Sequence, residues 1–130
     1  MKSNQLTNDS PSISASSRGR NPCFDTDPNI AAFNVLADDG HSYLLPYAQF
    51  LYAERDSNPA LEEESEAPPE KMLVRFACAD VIVLGSGLKA LERALQEFEL
   101  KFVKAADRRL AETLNTHVVA VTVTLTKEVA

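Results

Sequence analysis

Long hydrophobic runs are missing from this chain of 130 residues. Its apolar stretches fall far short of the roughly 18 to 20 residues that a membrane-spanning helix needs, which excludes such a helix. Cysteine and histidine are scarce, with two of each. Cys23 stands in a polar Pro/Asn context and Cys78 in an apolar strand pattern, with no Cys or His near either at a metal-ligand spacing. Both read as reduced thiols. His41 and His117 lack any ligand or nucleophile at a useful distance along the chain and read as a turn residue and a strand-end residue. Positive charge is also short: 13 Lys and Arg stand against 19 Asp and Glu, a net charge of -6. An acidic chain gains nothing from counterion release on a phosphate backbone, and Arg18 and Arg20 are too few to alter that, so no nucleic-acid partner is expected. The stretch Met1–Ser17 carries a lysine but no contiguous apolar segment, so no secretory signal is expected there and the expected location is cytoplasmic.

What the chain does contain is ordinary globular composition, 45% hydrophobic and 25% charged, enough for one domain. Residues 1–28 are rich in Ser, Asn, Asp and Pro, and burial there cannot offset the entropy of ordering, which predicts a disordered polar tail. Residues 29–130 are expected to form a single domain. Asp38-Asp39-Gly40 between the apolar runs Ile30–Leu36 and His41–Leu45 signals a β-hairpin. Pro46 can open a helical turn, and Tyr47, Phe50 and Leu51 recur at helical spacing through Glu54, predicting a short helix or helical turn. Residues 55–70 combine Pro59, Pro68 and Pro69 with Glu62, Glu63, Glu64, Glu66 and Glu70 and show no periodicity. This is an acidic loop, read first as solvated and second as a docking site.

Met72, Val74, Phe76 and Cys78 alternate with Leu73, Arg75, Ala77 and Ala79 as a strand does. Cys78-Ala79-Asp80 fits a tight hairpin into Val81–Leu84. From Gly87 onward, Leu88, Leu91, Leu95 and Phe98 oppose Lys89, Glu92, Arg93, Gln96 and Glu97, an amphipathic helix that covers a sheet. Residues 99–104 fit either a continuation of the helix or a strand, the strand being preferred, and 105–114 show a second, poorer helical pattern. Val119, Val121, Val123 and Leu125 alternate with Ala120, Thr122, Thr124 and Thr126 as a half-exposed antiparallel strand. The predicted fold is α+β: an antiparallel sheet of four to six strands, made of two hairpins and the C-terminal strand, with one main helix packed on a face.

One motif invites a chemical reading. Gly85, Gly87 and Ala90, with Ser86 between the glycines, fit Gly-x-Gly-x-x-Gly/Ala, which resembles the dinucleotide-binding fingerprint of Rossmann folds. The resemblance covers about one tenth of the chain and implies a pyrophosphate at a helix N-terminus, with Asp107 where an acidic ribose partner is sought. Three features oppose it. The last strand has a threonine face, whereas parallel strands of such domains are buried on both faces. Only 40 residues follow Ala90, too few for a second mononucleotide half. Gly-x-Gly also serves a purely structural use, letting a chain reverse sharply and a helix approach a sheet.

Ser86 is no nucleophile elbow, because Leu84 occupies the first glycine position of Gly-x-Ser-x-Gly. Asp38, Asp39 and Asp80 read as turn formers. Tyr43, Tyr47, Phe50 and Tyr52 read as core rather than pocket lining. With no convergent acid, base, nucleophile or metal-ligand set, the expectation is a small non-enzymatic binding or assembly module, without cofactor or metal. An open sheet face carrying Leu73, Ala77 or similar residues favours a homodimer or a protein partner. The alternative is a nucleotide or small-molecule binder using Gly85 to Ala90.

Overall fold

The structure is a computed structural model that describes residues 21–62, 67–110 and 113–126. Its first strand, β1 (Phe24–Thr26), precedes the hairpin formed by β2 (Ala32–Leu36) and β3 (Ser42–Pro46). The Asp-Gly signal operates as expected: Gly40 takes φ +91°, and the Asp39 carboxylate accepts the His41 amide at 2.9 Å, a local bond that favours a turn over extended chain.

Residues 21–28, which composition assigns to the polar tail, are tied into the fold. Cys23 is fully buried, β1 pairs with a later strand, and Asn21 Nδ2 donates to the Thr116 carbonyl at 2.8 Å. The ordered chain thus begins before residue 29, because Cys23 and Phe24 supply apolar surface to the core. Residues 1–20 lie outside the described residues.

After β3 only one 3₁₀ turn forms, Tyr47–Gln49, and the chain continues as β4 (Phe50–Ser57) rather than as a helix. A bulge explains the misleading spacing. Leu51 is skipped in the register between Phe50 and Tyr52, so Phe50 and Ala53 both pack against the core at a separation of three, which imitates a helix. β5 (Glu70–Phe76) and β6 (Ala79–Ser86) form the second hairpin, turned at Ala77 and Cys78. The amphipathic segment forms α1 (Lys89–Gln96), and β7 (Leu100–Val103) follows. Where residues 105–114 suggest a second helix, the described part holds one 3₁₀ turn, Arg108–Leu110. β8 (His117–Leu125) ends the described chain.

The α+β class holds, with eight strands in two sheets among the described residues instead of a single sheet. One sheet has the order β1-β7-β2-β3, the other β4-β5-β6-β8. The β2–β7 pair is parallel and every other pairing is antiparallel. The division arises because Tyr47–Gln49 leads the chain out of the first sheet and α1 carries it back. Phe33, Val35 and Leu45 of the first sheet, Met72, Val74, Phe76, Val81 and Val83 of the second, and Leu88, Leu91 and Leu95 around α1 are all buried in one core. The Tyr47 hydroxyl donates to the Leu100 carbonyl at 2.7 Å, and burial raises its phenol above the ordinary range, since the charged form loses hydration.

In β8 the strict alternation predicted from Val119 breaks. The register slips between Leu84 and Gly85 of β6, so Val118 and Val121 are the fully buried pair and Val119 is only half-buried. A second irregularity closes α1. The Phe98 amide donates to the Leu95 carbonyl and the Glu99 amide to the Ala94 carbonyl, the Schellman arrangement, with Phe98 at φ +57° where glycine is usual. The ring stays because it packs tilted 5.5 Å from Tyr47 and edge-on 5.9 Å from Phe50. Both Phe98→Ala and Phe98→Gly remove the ring, but only glycine relieves the left-handed backbone. In chemical denaturation Phe98→Gly is expected to exceed Phe98→Ala by about 1 kcal/mol; equal stabilities would contradict the strain.

Candidate functional site

The glycine turn is the first candidate, and its geometry is closed. A Cβ built on Gly85 would lie 2.1 Å from the His117 carbonyl oxygen, and one on Gly87 would lie 1.9 Å from that of Asn115. Gly87 also has φ +63°. These glycines let the β6–α1 turn press on the backbone that leads into β8. The turn's anion-accepting amides are already occupied: Gly87 N donates to Glu70 Oε2 at 3.3 Å and Leu88 N to Glu70 Oε1 at 3.0 Å. The Glu70 carboxylate therefore sits where the fingerprint would hold a phosphate.

Neighbouring groups complete this arrangement. Arg55 places Nη1 3.9 Å from Glu70 and Nε 3.1 Å from Glu92. The Thr116 hydroxyl donates to the Gly87 carbonyl at 2.7 Å. Ser86 pairs with His117 across β6 and β8, and Ala90 lies half-buried in α1. Asp107 is exposed in the β7–β8 connection, where its carboxylate binds Arg109 at 3.0 Å and its carbonyl accepts from His117 Nε2 at 3.0 Å. Both sheet neighbours of β6 are antiparallel to it, and β7 lies in the other sheet. Residues 81–126 thus do not form the parallel β-α-β-α-β unit that a ribose-binding Asp107 would require.

The second candidate is the outward side of the first sheet, which sequence reasoning did not single out. Phe33 and Val35 point inward from β2, so Ala32, Asn34 and Leu36 point outward by strand alternation. Together with Ile30, Leu44, Lys101, Phe102 and Lys104 they line a groove of about 490 Å³. An adjoining groove of about 520 Å³ over β1 shares Phe102 and Lys104 and adds Phe24 and Asp25. Leu44, 68% exposed, is the most exposed large apolar side chain among the described residues. Among those residues Lys101 and Lys104 make no ion pair. The available signal was that Ala32, Leu36 and Leu44 fall in the outward phase of β2 and β3, beside the polar pair Asn34 and Ser42.

The outward face of the second sheet is different in character. Register places Tyr52, Arg75, Asp80 and Thr124 in one row, then Glu54, Leu73, Ile82 and Thr122 in the next. Leu73 is half-buried there, and Ala77 is exposed in the β5–β6 turn. Arg75 and Asp80 satisfy one another, Arg75 Nε and Nη2 each donating to Asp80 at 2.9 Å. No group of three or more His, Cys, Asp or Glu is placed to hold a metal among the described residues, and no helix is long and apolar enough to cross a membrane. Compared with known protein families, curated proteins and solved structures, the chain matches none.

Two outcomes follow. Gly87→Ala is expected to cost about 2 kcal/mol or more, because a Cβ at 1.9 Å from Asn115 O must displace backbone. Glu70→Gln is expected to cost about 1 to 2 kcal/mol through its amide bonds. Urea unfolding checks both, and wild-type stability of Gly87→Ala would remove the structural role of the turn. The hydrogen bonds from Arg75 hold the Asp80 carboxyl below its ordinary value of 3.8. A depressed folded value adds stability above the unfolded value and loses it as pH falls through the folded one. The stability deficit of Asp80→Asn should therefore be largest near neutrality and shrink as pH falls below about 4; a deficit that grows in acid would contradict this pairing.

Proposed function

We propose that this chain is a small non-enzymatic binding and assembly module that works through the outward face of its first sheet and self-associates as a homodimer. The observation that carries this reading is the groove lined by Ile30, Leu36, Leu44 and Phe102, with Leu44 protruding into solvent. An uncovered apolar surface of this kind is a common mark of protein association. Cys23 and Cys78 are unpaired thiols, which fits the cytoplasmic setting that forms part of the proposal.

The sheet edges are poorer surfaces than this face. β8 spends its outer polar groups within the chain: Val121 exchanges hydrogen bonds with Asp38, the Val118 amide donates to Cys23 Sγ, and the Val118 carbonyl accepts from Ala106. β4 carries the bulge at Leu51 and the charged run Glu54-Arg55-Asp56, both of which discourage edge pairing. β1 has three residues and β3 ends at Pro46. Nucleotide binding at Gly85–Ala90 is disfavoured because Glu70 occupies the amides that would receive a phosphate.

Leu44→Asp separates surface from fold, since Leu44 is 68% exposed and its replacement should leave the melting temperature within a degree or two. Sedimentation velocity at tens of micromolar should show a dimer for the unaltered chain and a monomer for Leu44→Asp. A monomeric unaltered chain, or a dimer indifferent to this substitution, would overturn the proposal.

A further inference from the structure

The dimer surface just described leaves open which part of the second copy fills it, and charge supplies the answer. Lys101 and Lys104 line the groove and make no ion pair among the described residues, so its uncompensated charge is positive, and opposite charge is what complements it. The groove therefore suits an occupant that is acidic and carries some apolar character. The chain's own segment 61–66, Leu-Glu-Glu-Glu-Ser-Glu, has that chemistry.

The residues that flank it are fixed in the fold. The Asn58 amide donates to the Pro69 carbonyl at 2.9 Å, and Asn58 Nδ2 donates to the Pro68 carbonyl at 2.8 Å. Asn58 is buried, so these bonds pin the neck of the loop at the end of the β4–β5 hairpin. Glu70, just beyond the neck, is consumed by the Gly87 and Leu88 amides of the β6–α1 turn and by Arg55. Arg55, Arg75 and Arg109 all pair with other carboxylates in their own copy. Lys71, Lys89, Arg93, Lys101 and Lys104 make no ion pair among the described residues, and of these Lys101 and Lys104 line the first-sheet groove, with Asp25 the carboxylate that lines the adjoining one.

We infer that the acidic segment 61–66 of one copy docks in the Lys101/Lys104 groove of a second copy, reciprocally, so that each copy gives one acidic segment and receives one. The inference rests on the homodimer reading above. Exposed ion pairs are individually weak and screened by salt, so the apolar groove supplies contact area and the charges supply register and partner choice.

Sedimentation equilibrium of the full chain at about 50 mM and 500 mM salt tests it. The unaltered protein should dimerise, and high salt should weaken the dimer several-fold. The combined variant Glu62→Gln, Glu63→Gln, Glu64→Gln and Glu66→Gln, and separately Lys101→Glu with Lys104→Glu, should each weaken it roughly tenfold. Mixing Lys101→Glu/Lys104→Glu with a copy whose four glutamates are changed to lysine should restore a heterodimer, because both reciprocal contacts then regain opposite charges. This restoration cannot come from misfolded chains. If the glutamine variant dimerises as tightly as the unaltered chain while Leu44→Asp is monomeric, the inference falls and the face reading stands. If the unaltered protein is monomeric, both fall.

Discussion

The close approach of two backbones at the end of the second sheet is the constraint on which the rest of this molecule depends. The turn from β6 into α1 lies against the Asn115–Val118 backbone with no room for a Cβ at Gly85 or Gly87. Through that contact the turn meets most of the fold. Glu70 caps it from β5, Arg55 links that carboxylate to Glu92 of α1, and Thr116 bonds it from the approach to β8. Asn21 reaches the same Thr116 from the N-terminal side of β1. A side chain at either glycine would push apart the segments that join one sheet to the other.

This economy determines where function can reside. The Gly87 and Leu88 amides of the β6–α1 turn and the Arg55 guanidinium form a site chemically suited to an anion, but the protein supplies that anion itself as the Glu70 carboxylate. Their use is cohesion: a charge-assisted bond to a backbone donor in a half-buried place is stronger than one in open water. Chemistry directed at other molecules then falls to surfaces without internal partners. On the second sheet Arg75 and Asp80 neutralise each other, whereas the first sheet presents Leu44, Phe102 and two lysines around a groove. Assembly through that surface is the reading most consistent with this distribution.

Much of the fold could be read locally, and the failures share a cause. Asp38-Asp39-Gly40, the alternation from Met72 to Leu84 and the stripe of Leu88, Leu91 and Leu95 each encode an element within a few residues, and each element forms. β4 was hidden because the Leu51 bulge gives inward residues a helical spacing. The division into two sheets could not be seen, because it depends on which strands α1 returns to and on a parallel pairing of β2 with β7. Glu70 looked like one more residue of an acidic loop, and its partners are 17 and 18 positions away. Cys23 looked like part of a tail, although its sulfur accepts the Val118 amide at 3.2 Å. Non-local partners of this kind leave no periodic trace.

A dilution series of amide NMR spectra would test most directly the claim that the outward face of the first sheet is the working surface. Amides of Ile30, Asn34, Leu44, Lys101 and Phe102 should shift together with protein concentration, while those of Gly85, Gly87 and Leu88 stay constant. Shifts centred on the Arg75–Asp80 row of the second sheet or on the β6–α1 turn, or no concentration dependence at all, would contradict the account.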